Sequence, residues 1–264
     1  MRAYDFEYDG LKLSSFGYMI CNFGSGGMQT ISIGSQITFN TVATMNGSKH
    51  SLTSNEYKEC LKSTIQICKS GCNSKNYEIP SDELRMLSRW LNRSGFHKFK
   101  ILNTEYIDVY FEASFNISQL EFHGATYGLE LEVITNRPFA LQEPRTKTIT
   151  HQESDEIHMI KDYSDVEGFI YPKTEITLSA DGLLEITNQF ENRVTAIKNC
   201  TAGEVITLDY PTIYTSKSDH KIQNDFNWNF FRLANTFKNS GNKISISLPC
   251  VMKLSYSAPI RLGL

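Results

Sequence analysis

The residues with the strongest chemical potential in this chain are few and scattered. Cys68 and Cys72, separated by three residues, could hold a metal ion as thiolates. No histidine lies near them in sequence, and no second cysteine pair completes a four-ligand set. His151 and His158 lie in an acidic stretch with Glu153, Asp155 and Glu156, which reads as a solvated polar segment with the makings of a weak cation site. Gly24-Ser25-Gly26-Gly27 is not followed by Gly-Lys-Ser/Thr, so it reads as a loop and not as a phosphate cradle. Neither a His-Glu-x-x-His nor a Gly-x-Ser-x-Gly motif occurs. His123 between Glu121 and Gly124 reads as a turn at a strand end. The expected set of catalytic, cofactor-binding and metal-ligating residues is therefore none, and no cofactor is implied.

Aromatic side chains offer a second kind of chemistry. Phe226, Trp228, Phe230 and Phe231 cluster before Gly241-Asn242, and Tyr163, Phe169 and Tyr171 precede them. Such rings can stack on sugars, or they can fill a core. Trp228 and Phe230 would share a face of any strand that held them, and their apolar area favours the core.

The elements available to position these residues are mostly strands. Ile107, Val109, Phe111, Ala113 and Phe115 alternate with Asp108, Tyr110, Glu112 and Ser114, the pattern of a half-buried antiparallel strand. Leu61, Ser63, Ile65 and Ile67 repeat the pattern, as do Tyr127, Leu129, Leu131 and Val133. Ile37, Phe39 and Thr41 mark a shorter strand. One helix is expected near 81–93. Pro80-Ser81-Asp82-Glu83 opens it, with Ser81 or a neighbour as cap and the acids at the positive end of the dipole. Leu84, Leu87 and Leu91 form its apolar stripe, Trp90 flanks it, and Gly95 supplies a left-handed stop.

Alternation lapses between Asn136 and Thr150, where Pro138 and Pro144 fall. The division expected there gives one domain over 1–137 and a second over 138–264. In the second, short alternating segments resume: Thr174 to Leu178, Leu183 to Thr187, Val194 to Ile197, Val205 to Tyr210, Lys243 to Leu248 and Val251 to Tyr256. Asp181-Gly182 reads as a hairpin turn between the first two. Ser216 to Asp225 reads as an exposed polar loop. The expected fold is mainly β: an N-terminal β-domain with one α-helix, then a C-terminal jelly-roll-type sandwich.

Bulk properties narrow the function. The 264 residues are 40% apolar and 12% aromatic, enough for two cores, and the net charge of -3 leaves no basic footprint for nucleic acid. No apolar run is long enough to span a bilayer, and the first residues read as lacking a secretory signal. The six cysteines then read as reduced, mostly buried thiols of a protein made in a cytosol.

Two end-signatures carry a resemblance. The N-terminal one is Tyr4-Asp5-Phe6-Glu7-Tyr8-Asp9-Gly10 followed by Ser14-Ser15-Phe16-Gly17-Tyr18-Met19-Ile20. The C-terminal one is Asn229-Phe230-Phe231-Arg232-Leu233, then Ser240-Gly241-Asn242-Lys243-Ile244-Ser245-Ile246, closing on Leu254-Ser255-Tyr256. Together with the helix ending Arg89-Trp90-Leu91-Asn92, these resemble the distal tail protein family of long-tailed bacteriophages. Phe231 stands where the family usually has proline, and the spacing to Gly241 is stretched. The resemblance implies an N-terminal domain that builds a hexameric ring and a galectin-like outer sandwich. It implies a structural protein of the virion tail tip, assembled in the host cytoplasm, and not an enzyme. The implied partners are further copies of itself, the tail tube protein, the tail-tip hub or tail-associated protein, and receptor-binding or adhesion proteins. Neither a membrane nor a specific nucleic acid is among them. The alternative reading is a carbohydrate-binding or adhesin sandwich.

Overall fold

The computed structural model describes residues 3–24, 36–43, 51–57, 60–71, 77–102, 108–152, 156–235 and 241–262. Ile107, Cys72 and the loop glycines at 26 and 27 lie outside them. Two compact units emerge, Met1–Leu141 with Arg261–Leu264, and Gln142–Ile260. The short tail after the last strands thus returns to the first unit, where Leu262 packs against the core.

The first unit is a curled antiparallel sheet. Its strands are β1 (Asp5–Tyr8), β2 (Leu11–Lys12), β3 (Tyr18–Cys21), β6 (Lys62–Lys69), β7 (His97–Leu102), β8 (Val109–Phe122) and β9 (Ala125–Thr135), in the order β2-β1-β7-β8-β9-β6-β3. A short strand, β10 (Ala140–Gln142), adds to β8. Between β3 and β6 the hairpin β4 (Ile37–Ala43) and β5 (Ser51–Tyr57) forms a two-stranded sheet of its own. The main sheet bends until the Ile20 N–H at its far edge donates to the Tyr4 carbonyl at 3.0 Å. Phe111, Ala113 and Phe115 face inward as their alternation predicts, and Leu129, Leu131 and Val133 meet them from β9.

The N-terminal signature is a set of core and turn residues. Phe6 and Tyr8 alternate inward from β1, and Phe6 stacks on Trp90 at 5.9 Å. The Tyr8 ring meets Phe115 edge-on at 4.7 Å, and its backbone carbonyl accepts the Trp90 indole N–H at 3.2 Å. Asp9 and Gly10 take φ of 51° and 79°, the left-handed pair that a two-residue hairpin loop requires. His123 and Gly124 do the same between β8 and β9, as a turn reading of that site predicts. A 3-10 turn over Leu13–Phe16 places Phe16 flat on Trp90 at 4.5 Å, and Asp5 fixes this turn by accepting from the Ser14 N–H and hydroxyl at 3.0 and 2.6 Å.

Helix α1 spans Ser81–Leu91, and Leu87, Trp90 and Leu91 bury its inner face, with Leu84 half-buried beside them. The capping differs from the sequence reading. The N-cap is Pro80, with no side chain bonded to the free N–H groups. Glu83 instead ties the helix to the sheet, accepting from the Tyr18 hydroxyl and from Lys69 Nζ at 3.0 Å. Asn92 is the C-cap and donates through Nδ2 to the Phe115 carbonyl at 3.1 Å, while Gly95, at φ 85°, turns the chain into β7 three residues later.

The second unit is an antiparallel sandwich. One sheet has the order β11 (Arg145–His151), β21 (Cys250–Tyr256), β14 (Lys173–Leu178), β17 (Val205–Asp209), β18 (Thr212–Thr215). The other runs β12 (Ile157–Ile160), β20 (Asn242–Ile246), β15 (Gly182–Asn188), β16 (Arg193–Cys200). A short pair, β13 (Phe169–Ile170) with β19 (Leu233–Ala234), lies beside them. Ile176, Ile206, Met252 and Leu254 from the first sheet share one core with Leu184, Ile186, Ile197 and Ile244 from the second. The architecture is the mainly β one expected.

Asp181-Gly182 is not a hairpin turn. β14 and β15 belong to opposite sheets, so the chain crosses the sandwich there. The Asp181 carboxylate accepts the Ala202 N–H at 2.6 Å and so closes a corner between loops. A dipeptide signals a reversal, but which strand the next one pairs with is decided by the burial of both faces. The segment read as an exposed loop after Ser216 also has structure: a short helix, α2 (Ile222–Asp225), with Ile222 buried.

Five cysteines lie among the described residues as free thiols: Cys21, Cys60 and Cys68 half-buried, Cys200 and Cys250 buried. Burial pushes the Cys200 and Cys250 thiols up to about 11, which makes them packing groups and poor nucleophiles.

Candidate functional site

Three features of the surface and interior bear on function. The first is apolar surface on the first unit. A groove of about 610 Å³ is lined by Phe23, Cys68, Tyr77, Leu120, Phe122 and Tyr127. Tyr127 belongs to the alternating set expected to face the core, yet it is 37% exposed and lines the groove instead. The β8–β9 ladder shifts register here, pairing Leu120 with Gly128 and Glu121 with Thr126, so Tyr127 is the extra, unpaired residue of a bulge. Gly128 shapes the floor: a Cβ there would lie 2.5 Å from the Phe23 ring and 2.9 Å from the Ile67 carbonyl. Phe122 is 67% exposed, and on the β4–β5 hairpin Phe39 is 66% exposed. Ile37 and Phe39 alternate as a strand should, but among the described residues no second layer covers them and their apolar side chains stay exposed.

The second feature is the aromatic cluster of the second unit. Phe226, Phe230 and Phe231 are buried, as a packing role requires. Trp228 is not: it is 56% exposed and adopts φ 58°. The reading that puts Trp228 on one face with Phe230 is thereby corrected. Residues 227 to 230 are not a strand. Asn227 holds a tight turn, its Oδ1 accepting the Asn229 N–H at 3.0 Å and its Nδ2 donating to the Val194 carbonyl at 3.0 Å. One left-handed residue breaks the alternation and turns the indole outward. Ring contacts then run from Trp228 to Phe226 at 5.6 Å, Phe226 to Phe230 at 4.9 Å, Phe230 to exposed Tyr210 at 5.3 Å, and Tyr210 to Tyr171 at 4.4 Å.

The rest of the C-terminal signature is a strut. The Arg232 guanidinium lies 3.4 Å over the Phe169 ring and meets Glu191 through Nη2 at 2.6 Å and Nε at 3.0 Å. Asn242 is wholly buried; its Oδ1 accepts from Asn188 Nδ2 at 2.7 Å and from the Ala234 N–H at 2.8 Å. Gly241, at φ 71°, brings the chain within 3.1 Å of the Ile160 carbonyl at the position a Cβ would take.

The third feature is two histidine clusters. Glu204 is buried and accepts from the Thr215 hydroxyl, from the Thr201 N–H at 3.0 Å, and faces His220 Nδ1 at 2.6 Å. His220 Nε2 lies 3.3 Å from Asp225. Among the described residues no nucleophile is aimed at the imidazole of this acid–histidine–acid line, since Thr215 donates to the carboxylate; the line pins the 216–225 segment. Burial raises the Glu204 pKa, but hydrogen bonds from Thr215, His220 and Thr201 and the attraction of His220 outweigh it. The carboxyl is held below its usual range. The native state therefore gains stability above the unfolded carboxylate pKa of about 4.3 and loses it as the pH falls through the folded value. In thermal melts across the acid range, Glu204→Gln is expected to lie below the parent at neutral pH. The gap should narrow as the pH drops; a constant gap would show that Glu204 acts by shape alone.

The other cluster is His151, Glu156 and His158. The sequence reading treats them as solvated, but the His151 ring is wholly buried and His158 is partly buried. The His151 Nδ1 and His158 Nε2 atoms stand 3.2 Å apart. Burial lowers the His158 pKa, and neighbouring His151 and Lys147 act the same way against the opposing pull of Glu156.

Comparison with known proteins places this architecture. The family described as phage tail protein N-terminal domain matches residues 1–137, and the phage tail C-terminal domain matches residues 139–256. The chain belongs to the phage tail protein family. Its fold is similar to the crystal structure of SPP1 Dit (gp 19.1), described as a paradigm of hub adsorption apparatus in phages infecting Gram-positive bacteria. The TM-score is 0.66 at 10% identity, over 97% of this chain and 99% of that one. No curated protein matches the sequence. The family is one of phage tail proteins, and the fold is that of the tail-hub protein above. In that setting the two end-signatures acquire a physical meaning: one holds α1 onto the sheet, and the other braces the sandwich through Arg232 and Asn242.

Proposed function

We propose that this chain is the distal tail protein of a phage or phage-like particle. In this reading six copies close a ring at the tail tip, joining the tail tube protein to the hub or tail-associated protein and to receptor-binding or adhesion proteins. The observation that carries the reading is the succession of both phage-tail domains across the chain, in a fold matching an adsorption-hub protein end to end. The first domain, taken as 1–137, carries the ring contacts. A ring needs a heterologous interface, in which one patch meets a different patch of the next copy. The first unit bears two unlike apolar surfaces, the β4–β5 hairpin and the Phe122–Tyr127 groove. A lone hairpin is marginal in water, so an apolar partner surface stabilises it. The occupant of the groove is accordingly a second copy of this chain.

Light scattering on the full chain tests this. A mass of six copies is expected, with Phe39→Asp and Phe122→Asp each shifting the population toward the monomer. A parent protein that stays monomeric at high concentration would remove the ring. Dissociation by surface changes in the second unit alone would move the interface there.

Exposed Trp228 favours a second activity for the outer sandwich. An indole held outward by the Asn227 turn, with Tyr210 also exposed, suits stacking on a pyranose. Loss of cell-wall saccharide binding in Trp228→Ala, with unchanged melting, would support this reading; unchanged binding would dismiss it.

A further inference from the structure

We propose that His151, Glu156 and His158 bind one divalent transition-metal ion of the zinc class, fastening the edges of the two sandwich sheets together. The three side chains each bring a ligand atom to within 4.8 Å of the other two, and they are a compact set of potential metal ligands among the described residues. The two closest atoms, His151 Nδ1 and His158 Nε2, are 3.2 Å apart. Two nitrogens bound to one tetrahedral zinc at ~2.05 Å each would lie ~3.4 Å apart, so little movement is needed. A Glu156 carboxylate oxygen stands 3.8 Å from His151 Nδ1, on the solvent side of the pair.

The placement explains why an ion would be held here. His151 ends β11, an edge strand of one sheet, and His158 lies on β12, an edge strand of the other. Their strands pair with β21 and β20 and not with each other, so among the described residues no backbone ladder joins these two edges. Facing imidazole nitrogens at this distance need a proton or a cation between their lone pairs. With a shared proton the two rings form one hydrogen bond, whose direction depends on the tautomer. Two nitrogen donors and one carboxylate select zinc, cobalt or nickel over calcium or magnesium, which take oxygen ligands. Three protein ligands leave one tetrahedral position for water. Glu156, half-exposed, marks the entry path.

The test uses tag-free full-length protein stripped with chelator. Titration calorimetry with zinc chloride should give one ion per chain and raise the melting temperature. Cobalt(II) should produce visible d–d bands, and magnesium should do nothing. His158→Ala should weaken zinc affinity at least tenfold and remove the cobalt bands. Glu156→Gln, at an exposed position that does not threaten folding, should also weaken it, while His123→Ala should bind as the parent does. The absence of zinc binding would leave a hydrogen-bonded histidine pair. Parental binding by Glu156→Gln and His158→Ala together would place the metal elsewhere. Either result overturns the proposal.

Discussion

Replacing Leu87 by alanine is expected to destabilise the first unit by about 2–5 kcal/mol, the cost of an unfilled cavity in a core that cannot collapse around it. Leu87 is wholly buried in the core of the first unit, on the inner face of α1 with Trp90 and Leu91. The helix has few other means of staying in place. Its N-terminus lacks a side-chain cap, and eleven residues form a weak helix in isolation. The packed face and the Glu83 contacts to Tyr18 and Lys69 therefore hold it. Loss of Leu87 should also loosen Trp90, on which Phe6 and Phe16 stack. Denaturant unfolding checks the magnitude, and near-ultraviolet dichroism checks the tryptophan environment. Parental stability combined with failure to assemble would mean that the stripe faces a partner.

Phe230→Ala is expected to cost about 3–5 kcal/mol, while Trp228→Ala, two residues away, should stay within about 0.5 kcal/mol as a surface change does. Phe230 is buried and touches Phe226 and Tyr210 edge-on. Trp228 keeps only the outer flank of this cluster. Composition ranks tryptophan the more costly loss; the left-handed backbone at 228 reverses the order. Calorimetric melting of the two variants side by side decides it. A large loss in Trp228→Ala would mean that the indole folds back onto Phe226 in solution.

The sequence by itself determined what short-range rules control. Period-two alternation assigned Phe111, Ala113 and Phe115 to a core because successive strand side chains point to opposite faces. The helix stripe at Leu87 and Leu91 followed from 3.6 residues per turn, and the Asp9-Gly10 and His123-Gly124 reversals coincide with left-handed backbone pairs. The end-signatures identified the family before their physical work as core and strut residues was visible. Tertiary structure alone decided what depends on distant partners. Asp181-Gly182 crosses between sheets because β14 finds β17 and β21 while β15 finds β16 and β20. Tyr127 is the extra residue of a bulge and is partly exposed, and Phe39 alternates in a strand yet stays exposed. His151 and His158 meet because the last residue of one edge strand turns in beside another sheet's edge. Alternation fixes which way a side chain points relative to its neighbours. What it meets there depends on long-range pairing, and that information is carried by the whole chain and not by any one segment.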